Sequence, residues 1–191
     1  MAERSVEVDH STIHRWAIKM LPVLAAVCRQ RKRPVGKSWR MDETYIKVAG
    51  PWKYLYRAVD KSGATVDFLL RAKRDHAAVG ALFERAIGLH DVPERVAVDK
   101  SGSNKAAIVS IQADTGLAIT LRQLKYLNNI VEQDHRAVKR VTRPMLGFKN
   151  FRCARILIAG IGTMPMIRKS PLGDIKDRAL PAANQFYSLA F

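Results

Sequence analysis

The sequence predicts an α/β domain on a mixed sheet: three strands joined as hairpins, then strands separated by helices, all behind an N-terminal helix. Two observations predict it. Residues Trp39 to Leu70 hold three strand-like runs rich in β-branched and aromatic side chains, broken only by turn residues. From Asp75 onward, helical periodicity alternates with short apolar runs, the pattern of strand-helix units. A hydrophobic content of 48% in 191 residues suffices for a buried core.

The elements follow in order. His10 to Val27 is helical, with Ser11 as cap and Ile13, Trp16, Met20, Leu24 and Val27 at helical spacing, and Pro22 is expected to kink it. Arg29, Arg31, Lys32, Arg33 and Pro34 read as a linker, which places a boundary near residue 36. Strands are expected over Trp39–Val48, Tyr54–Val59 and Thr65–Leu70. A helix from Asp75 ends at Gly88, and a short strand follows over Arg95–Val98. Then come a helix over Asn104–Asp114, a strand over Ala118–Leu124 and a helix over Leu127–Thr142. One more helix and a tail lie beyond Phe151. The expected domains are residues 1–35, 36–170 and a tail of 171–191.

The segment AVDKSG occurs twice, at Ala58–Gly63 and Ala97–Gly102. The first copy lies between two strands, where Lys61-Ser62-Gly63 suits a hairpin turn. The second joins a strand to a helix, and a residue at the C-terminal end of such a strand faces the crevice where ligands bind in open α/β sheets. Asp99 has that position, although an ordinary turn or helix-cap aspartate is the alternative.

Lys and Arg total 33 against 17 for Asp and Glu, a formal charge of +16 that attracts polyanions, nucleic acid first among them. The two cysteines, Cys28 and Cys153, have no companion spacing for a zinc site. No apolar run reaches the ~20 residues that span a bilayer. A cytoplasmic protein without membrane association is expected, nucleoid-associated when on DNA.

Phosphodiester chemistry uses two divalent ions ~4 Å apart, held by carboxylate oxygens from separate elements. Three acids stand out. Asp42 sits inside a strand, where propensity disfavours it, on one face with Arg40, Thr44 and Ile46. Asp99 ends the fourth strand. Glu132, in YLNNIVEQDHRAVKR, shares a polar stripe with His135 or Arg136, Lys139 and Arg143, while Ile130, Val131, Val138 and Val141 supply the buried side. A solvent-facing Asp42, and a Glu132 that serves as capping-box partner to Asn129, are the structural alternatives. Tyr126 and Asn128 precede the glutamate as backbone contacts or caps.

WRMDETYIKV, the second AVDKSG and above all KYLNNIVEQDHRAVKRVTRPMLGFKNF closely resemble bacterial insertion-sequence transposases of the DDE type, in the insertion-sequence six family. The likeness runs from about Asp9 to Arg168 and is strongest over residues 124–152. The resemblance implies an RNase H-like core, two Mg²⁺ ions for which Mn²⁺ can substitute, and DNA strand cleavage and transfer. It also implies a homodimer or larger synaptic assembly with transposon terminal repeats and target DNA. By position it makes Asp42, Asp99 and Glu132 the catalytic, metal-holding triad, with Asp42 bridging both ions. Lys139 matches the basic residue that commonly follows the glutamate by seven. Arg136, Lys139 and Arg143, with His14 and Arg15 on the first helix, are the expected DNA contacts, and His135 stays outside the triad.

Members of that family usually begin with some tens of further residues that complete a helix-turn-helix before DHSTIHRW. The first helix is therefore expected to be the remnant of that unit in a truncated transposase, with end recognition weakened or lost. A non-catalytic DNA-binding or assembly protein of the same fold, and a simple nuclease, are the alternatives.

Overall fold

The computed structural model describes residues 7–30, 34–98, 102–123 and 129–169, apart from the side chains at positions 76, 102, 103 and 164–169. In chain order its elements are α1 (His10–Gln30), β1 (Ser38–Lys47), β2 (Trp52–Asp60), β3 (Thr65–Arg71), α2 (His76–His90), β4 (Arg95–Val98), α3 (Gly102–Thr115), β5 (Thr120–Gln123), α4 (Asn129–Thr142) and α5 (Phe151–Lys169). They divide into two compact units, Met1–Lys32 with Asn150–Phe191, and Arg33–Lys149.

The larger unit holds one sheet of order β3-β2-β1-β4-β5. β1, β2 and β3 are antiparallel neighbours, β4 runs parallel to β1, and β5 runs parallel to β4. This is the mixed α/β, RNase H-like architecture that the sequence predicts. β4 is short and pairs with β1 only from Ser38 to Met41.

Both faces of the sheet centre are covered, which is why Leu55 to Asp60 of β2 are all buried. On one face Trp39 and Met41 of β1 and Tyr56 and Ala58 of β2 join Leu82, Phe83 and Ala86 of α2 and Ile108 of α3 in the core. Trp39 meets Phe83 edge to face at 5.8 Å. Full burial of a side chain such as Leu82 or Phe83 contributes about 1.5–3 kcal/mol. The opposite face carries α4, whose buried residues Val131, His135, Val138 and Thr142 recur at one-turn and two-turn spacing.

The first AVDKSG is the β2–β3 hairpin. Asp60 is the organising residue: its Oδ1 accepts from the Ser62 N–H, the Ser62 hydroxyl and the Ala64 N–H, and its Oδ2 accepts from the Gly36 N–H. Burial pushes the Asp60 carboxyl up, but these four donors outweigh it and hold its pKa below the ordinary carboxylate value.

Beyond α4 the chain returns to β1. The Phe148 N–H donates to the Lys47 carbonyl at 2.9 Å, and the Ala49 N–H donates to the Phe148 carbonyl at 2.7 Å. Gly147 makes this possible: its φ is +105°, and a Cβ there would lie 2.7 Å from Lys47 Cβ and 2.8 Å from the Lys47 carbonyl oxygen.

In the smaller unit α1 packs on α5. Gly160 lets them approach closely, since a Cβ there would stand 2.6 Å from a Leu21 methyl. Pro22 lies within α1, which continues to Gln30.

Several local expectations are corrected. The cap of α1 is Asp9, whose carboxylate accepts from the Thr12 N–H and the Ser11 hydroxyl, because the carboxylate reaches the third N–H of the turn. α2 passes Gly88 and stops at His90, where Asp91 takes φ 65°. β5 covers Thr120–Gln123 rather than starting at Ala118. Val141 of α4 is exposed, and His135 takes a buried place on the side facing the sheet.

Candidate active site

Asp42 lies midway along β1, directly opposite Arg57 of β2. Strand alternation turns it toward the face that α4 covers. Its Oδ2 is 3.6 Å from His135 Nδ1, and its side chain is 17% exposed. That separation exceeds a hydrogen bond, and His135 is neutral at physiological pH. Burial is the main cause, aided by the Arg57 guanidinium and the Lys139 ammonium, and together they push the imidazole down to about 3. A nearby carboxylate would favour the imidazolium, but desolvation and two cations win.

Glu132 stands in the first turn of α4, three residues before His135 and so ~4.5 Å nearer the helix N-terminus. Its side chain is 48% exposed, with Oε2 3.9 Å from Arg136 Nη2. Such a surface pair is worth at most about 1 kcal/mol, so Glu132 is free to turn to another cation. Val98, the last described residue of β4, pairs with Met41, the neighbour of Asp42. Asp99 lies outside the described residues, as do Tyr126 and Asn128. The structure thus brings β1 at Asp42 against the helix that carries Glu132, with the end of β4 beside them.

What fixes α4 on the sheet is an ion pair absent from the sequence expectations. Arg57 is fully buried in β2, with its Nε against Asp134 Oδ2 and its Nη2 donating to Thr65 Oγ1 at 3.2 Å. Burial drives the Arg57 pKa down, opposed by the charges of Asp134 and Asp67. No sequence spacing relates residues 57 and 134; only the β1–β2 register, which sets Arg57 beside Asp42, reveals the pair. The chemical hint is a lone arginine in YLYRAV, an otherwise apolar run.

Among the expected DNA contacts, Arg136 and Arg143 are exposed and Lys139 is half-buried. Lys139 and Arg143 line a cavity of about 740 Å³ that also includes Tyr45, Lys47, Trp52 and Tyr54. His14 and Arg15 are exposed near the start of α1, in the other unit, and Arg15 Nη2 donates to Thr12 Oγ1 at 3.1 Å. No described helix is long and apolar enough to cross a membrane.

Comparison with known proteins agrees with the fold. A family model described as a DDE domain, of the IS240 transposase group, matches residues 36–171. The transposase of the insertion sequence-like element IS431mec from Staphylococcus aureus (strain N315) is 37% identical over 163 residues, covering 84% of this chain and 71% of that protein. The transposase of insertion sequence IS257 in transposon Tn4003, also from Staphylococcus aureus, is 38% identical over 160 residues, covering 83% and 70%. Among solved structures, the HTLV-2 integrase catalytic core domain in complex with magnesium shares the fold. Its dimeric form gives a TM-score of 0.54 at 18% identity over 69% of this chain and 89% of that one. Its trimeric form gives 0.55 at 15% identity over 78% and 96%. With two relatives above 35% identity and a family match across the whole sheet, the chain belongs to the DDE transposase family.

Proposed function

We propose that the protein cleaves DNA strands at insertion-sequence ends and joins them to a target, with Asp42, Asp99 and Glu132 as its metal-holding triad. The observation that carries this reading is the apposition of Asp42 and the Glu132-bearing helix through the 3.6 Å contact of His135, inside a chain of the DDE family. Pairing of Met41 with Val98 supports the third member, since it brings β4 beside β1 one residue before each aspartate.

The donor chemistry fits Mg²⁺ or Mn²⁺: Asp42 and Glu132 offer hard carboxylate oxygens, both partly accessible, from two adjoining elements. Two such ions, when bound, activate the attacking oxygen and stabilise the leaving one. The chain's own residues do the rest. Asp42 and Glu132 concentrate negative charge within a protein of net charge +16, which otherwise draws DNA phosphates to its surface. His135, neutral and buried, backs Asp42 by packing and does not compete for its charge. Arg136, Lys139 and Arg143 extend a cationic row along α4 for the phosphate backbone, and α1 with His14 and Arg15 adds a second basic contact. The catalytic domain is assigned to residues 36–170, supported by the family match over 36–171. Assembly as a dimer or larger synaptic complex around transposon ends follows from the need to hold two ends at once.

The test is strand transfer on insertion-sequence-end DNA with Mg²⁺, together with Mn²⁺ binding by calorimetry, for the parent chain and for Asp42→Asn, Asp99→Asn and Glu132→Gln. Each variant should lose strand transfer by at least about a hundredfold, the scale of single catalytic groups, and should bind the metal more weakly. A Glu132→Gln protein that joins ends at the parent rate would remove the assignment. Metal-independent, salt-sensitive DNA binding without cutting by the parent chain would instead mark a binding or assembly protein.

A further inference from the structure

The cavity at the tip of the β1–β2 ribbon has a composition that the triad does not explain. Trp52 is 58% exposed and Tyr45 is 44% exposed, although neighbouring strand residues such as Leu55 and Ile46 are buried. Tyr45 and Tyr54 face each other across the ribbon and meet edge to face at 5.2 Å. Lys47 Nζ lies 5.2 Å from the centre of the Trp52 ring. Lys139 of α4 and Arg143 just past its end also line it, with Ile46, Thr142, Leu146 and Gly147, and none of these described lining residues is acidic. Its volume of about 740 Å³ falls in the ~300–1,000 Å³ range of organic-ligand sites.

We infer that this cavity holds an unpaired base of the DNA strand being processed, stacked on Trp52 and Tyr45 with its phosphates on Lys47, Lys139 and Arg143. The inference rests on the reading above, that the protein acts on DNA.

Three arguments lead there. Aromatic faces within a cationic rim accept a flat π-system attached to an anionic backbone, the pairing that binds single strands at about 1–3 kcal/mol per stacked base. Bases inside a duplex hide their faces against each other, so only an extruded or frayed nucleotide can offer one. A second copy of the chain is disfavoured as occupant, because three cations would be pressed against a molecule of charge +16.

Position agrees. Tyr45 is three residues past Asp42 on β1, ~10 Å along the strand. Lys139 is seven residues past Glu132 on α4, ~10 Å along the helix. Both elements therefore lead from the acids to the cavity over about three stacked base steps at ~3.4 Å each. Alternation turns Tyr45 to the face opposite Asp42, so the path runs through the stretch of the β1 edge between Met41, the last described residue paired with β4, and Lys47, where Phe148 pairs.

The experiment measures binding of a short single strand carrying one 2-aminopurine, and of the corresponding duplex, by the full chain and by Trp52→Ala and Trp52→Phe. Thermal melts verify folding, which the exposure of Trp52 protects. Trp52→Ala should bind the single strand about fivefold or more weakly and change 2-aminopurine emission less, while its duplex affinity stays at the parent value. Trp52→Phe should retain most of the single-strand affinity. Equal losses for single strand and duplex, or no loss for either, would overturn the cavity assignment while leaving DNA action intact. A parent chain that binds neither DNA would remove the DNA reading itself. A Trp52→Ala change in oligomeric state by light scattering, with DNA binding unchanged, would make the cavity a protein interface and also overturn the inference.

Discussion

Arg57 and Asp134 form a buried ion pair between β2 and α4, two residues from Glu132 on the helix and directly across the ribbon from Asp42 on the sheet. The guanidinium has no exposure, so its charge is tolerated only because Asp134, Thr65 and the nearby Asp67 surround it. The pair acts as a register pin: α4 cannot rotate about its axis without leaving a naked charge in the core.

Removing one partner should therefore be severe. Asp134→Ala is expected to cost about 3–5 kcal/mol, since it strands Arg57 without its counterion. Urea unfolding followed by circular dichroism measures it as a lowered midpoint at unchanged slope. Replacing both partners with apolar residues, Arg57→Met with Asp134→Leu, should recover most of that loss. A single variant as stable as the parent would show that the pair pins nothing.

Acid stability provides a second prediction. The Asp60 carboxyl has a folded pKa below its unfolded value of about 3.9, so between the two values the unfolded chain binds the extra proton and stability rises with pH. The contribution is complete above the unfolded value and is lost as pH falls through the folded one. Asp60→Asn should lower the melting temperature at neutral pH, and the gap to the parent protein should shrink below pH ~4. A gap independent of pH would mean that the hairpin needs the shape of the side chain and not its charge.

Gly147 provides the third. An alanine there combines a positive φ with a Cβ overlapping the Lys47 backbone, so Gly147→Ala should destabilise by at least about 2 kcal/mol. Calorimetric melting tests it. Gly116→Ala is the control, because it too has positive φ, +66°, but meets no atom within 4 Å. The difference between the two variants isolates the steric part.

The larger unit was mostly legible because its signals are local. β1 to β3 follow from alternation and from hairpin residues, and the α2 periodicity is unambiguous apart from its last turn. Asp42 is visible as an acid where a strand disfavours one. The α4 faces were harder. Periodicity alone ranks Val141 as core and His135 as polar surface, whereas the helix phase is set by Arg57, a cation on another element that draws Asp134 inward and carries His135 with it. Tyr45 likewise falls inside an expected strand yet is exposed, where β4 pairs with β1 only as far as Met41. Such long-range pairings leave no trace in spacing.

The hairpin aspartate has one more consequence. A chain with the same hexapeptide in two places carries a potential decoy, since an equivalent carboxylate could sequester the divalent ions of the proposed reaction. Asp60 is largely occupied: its Oδ1 accepts three hydrogen bonds and its Oδ2 one, and the side chain is buried, which leaves little for a hydrated ion to displace its waters for. Duplicate wording in the sequence thus does not make Asp60 the equal of the ion site proposed at Asp99.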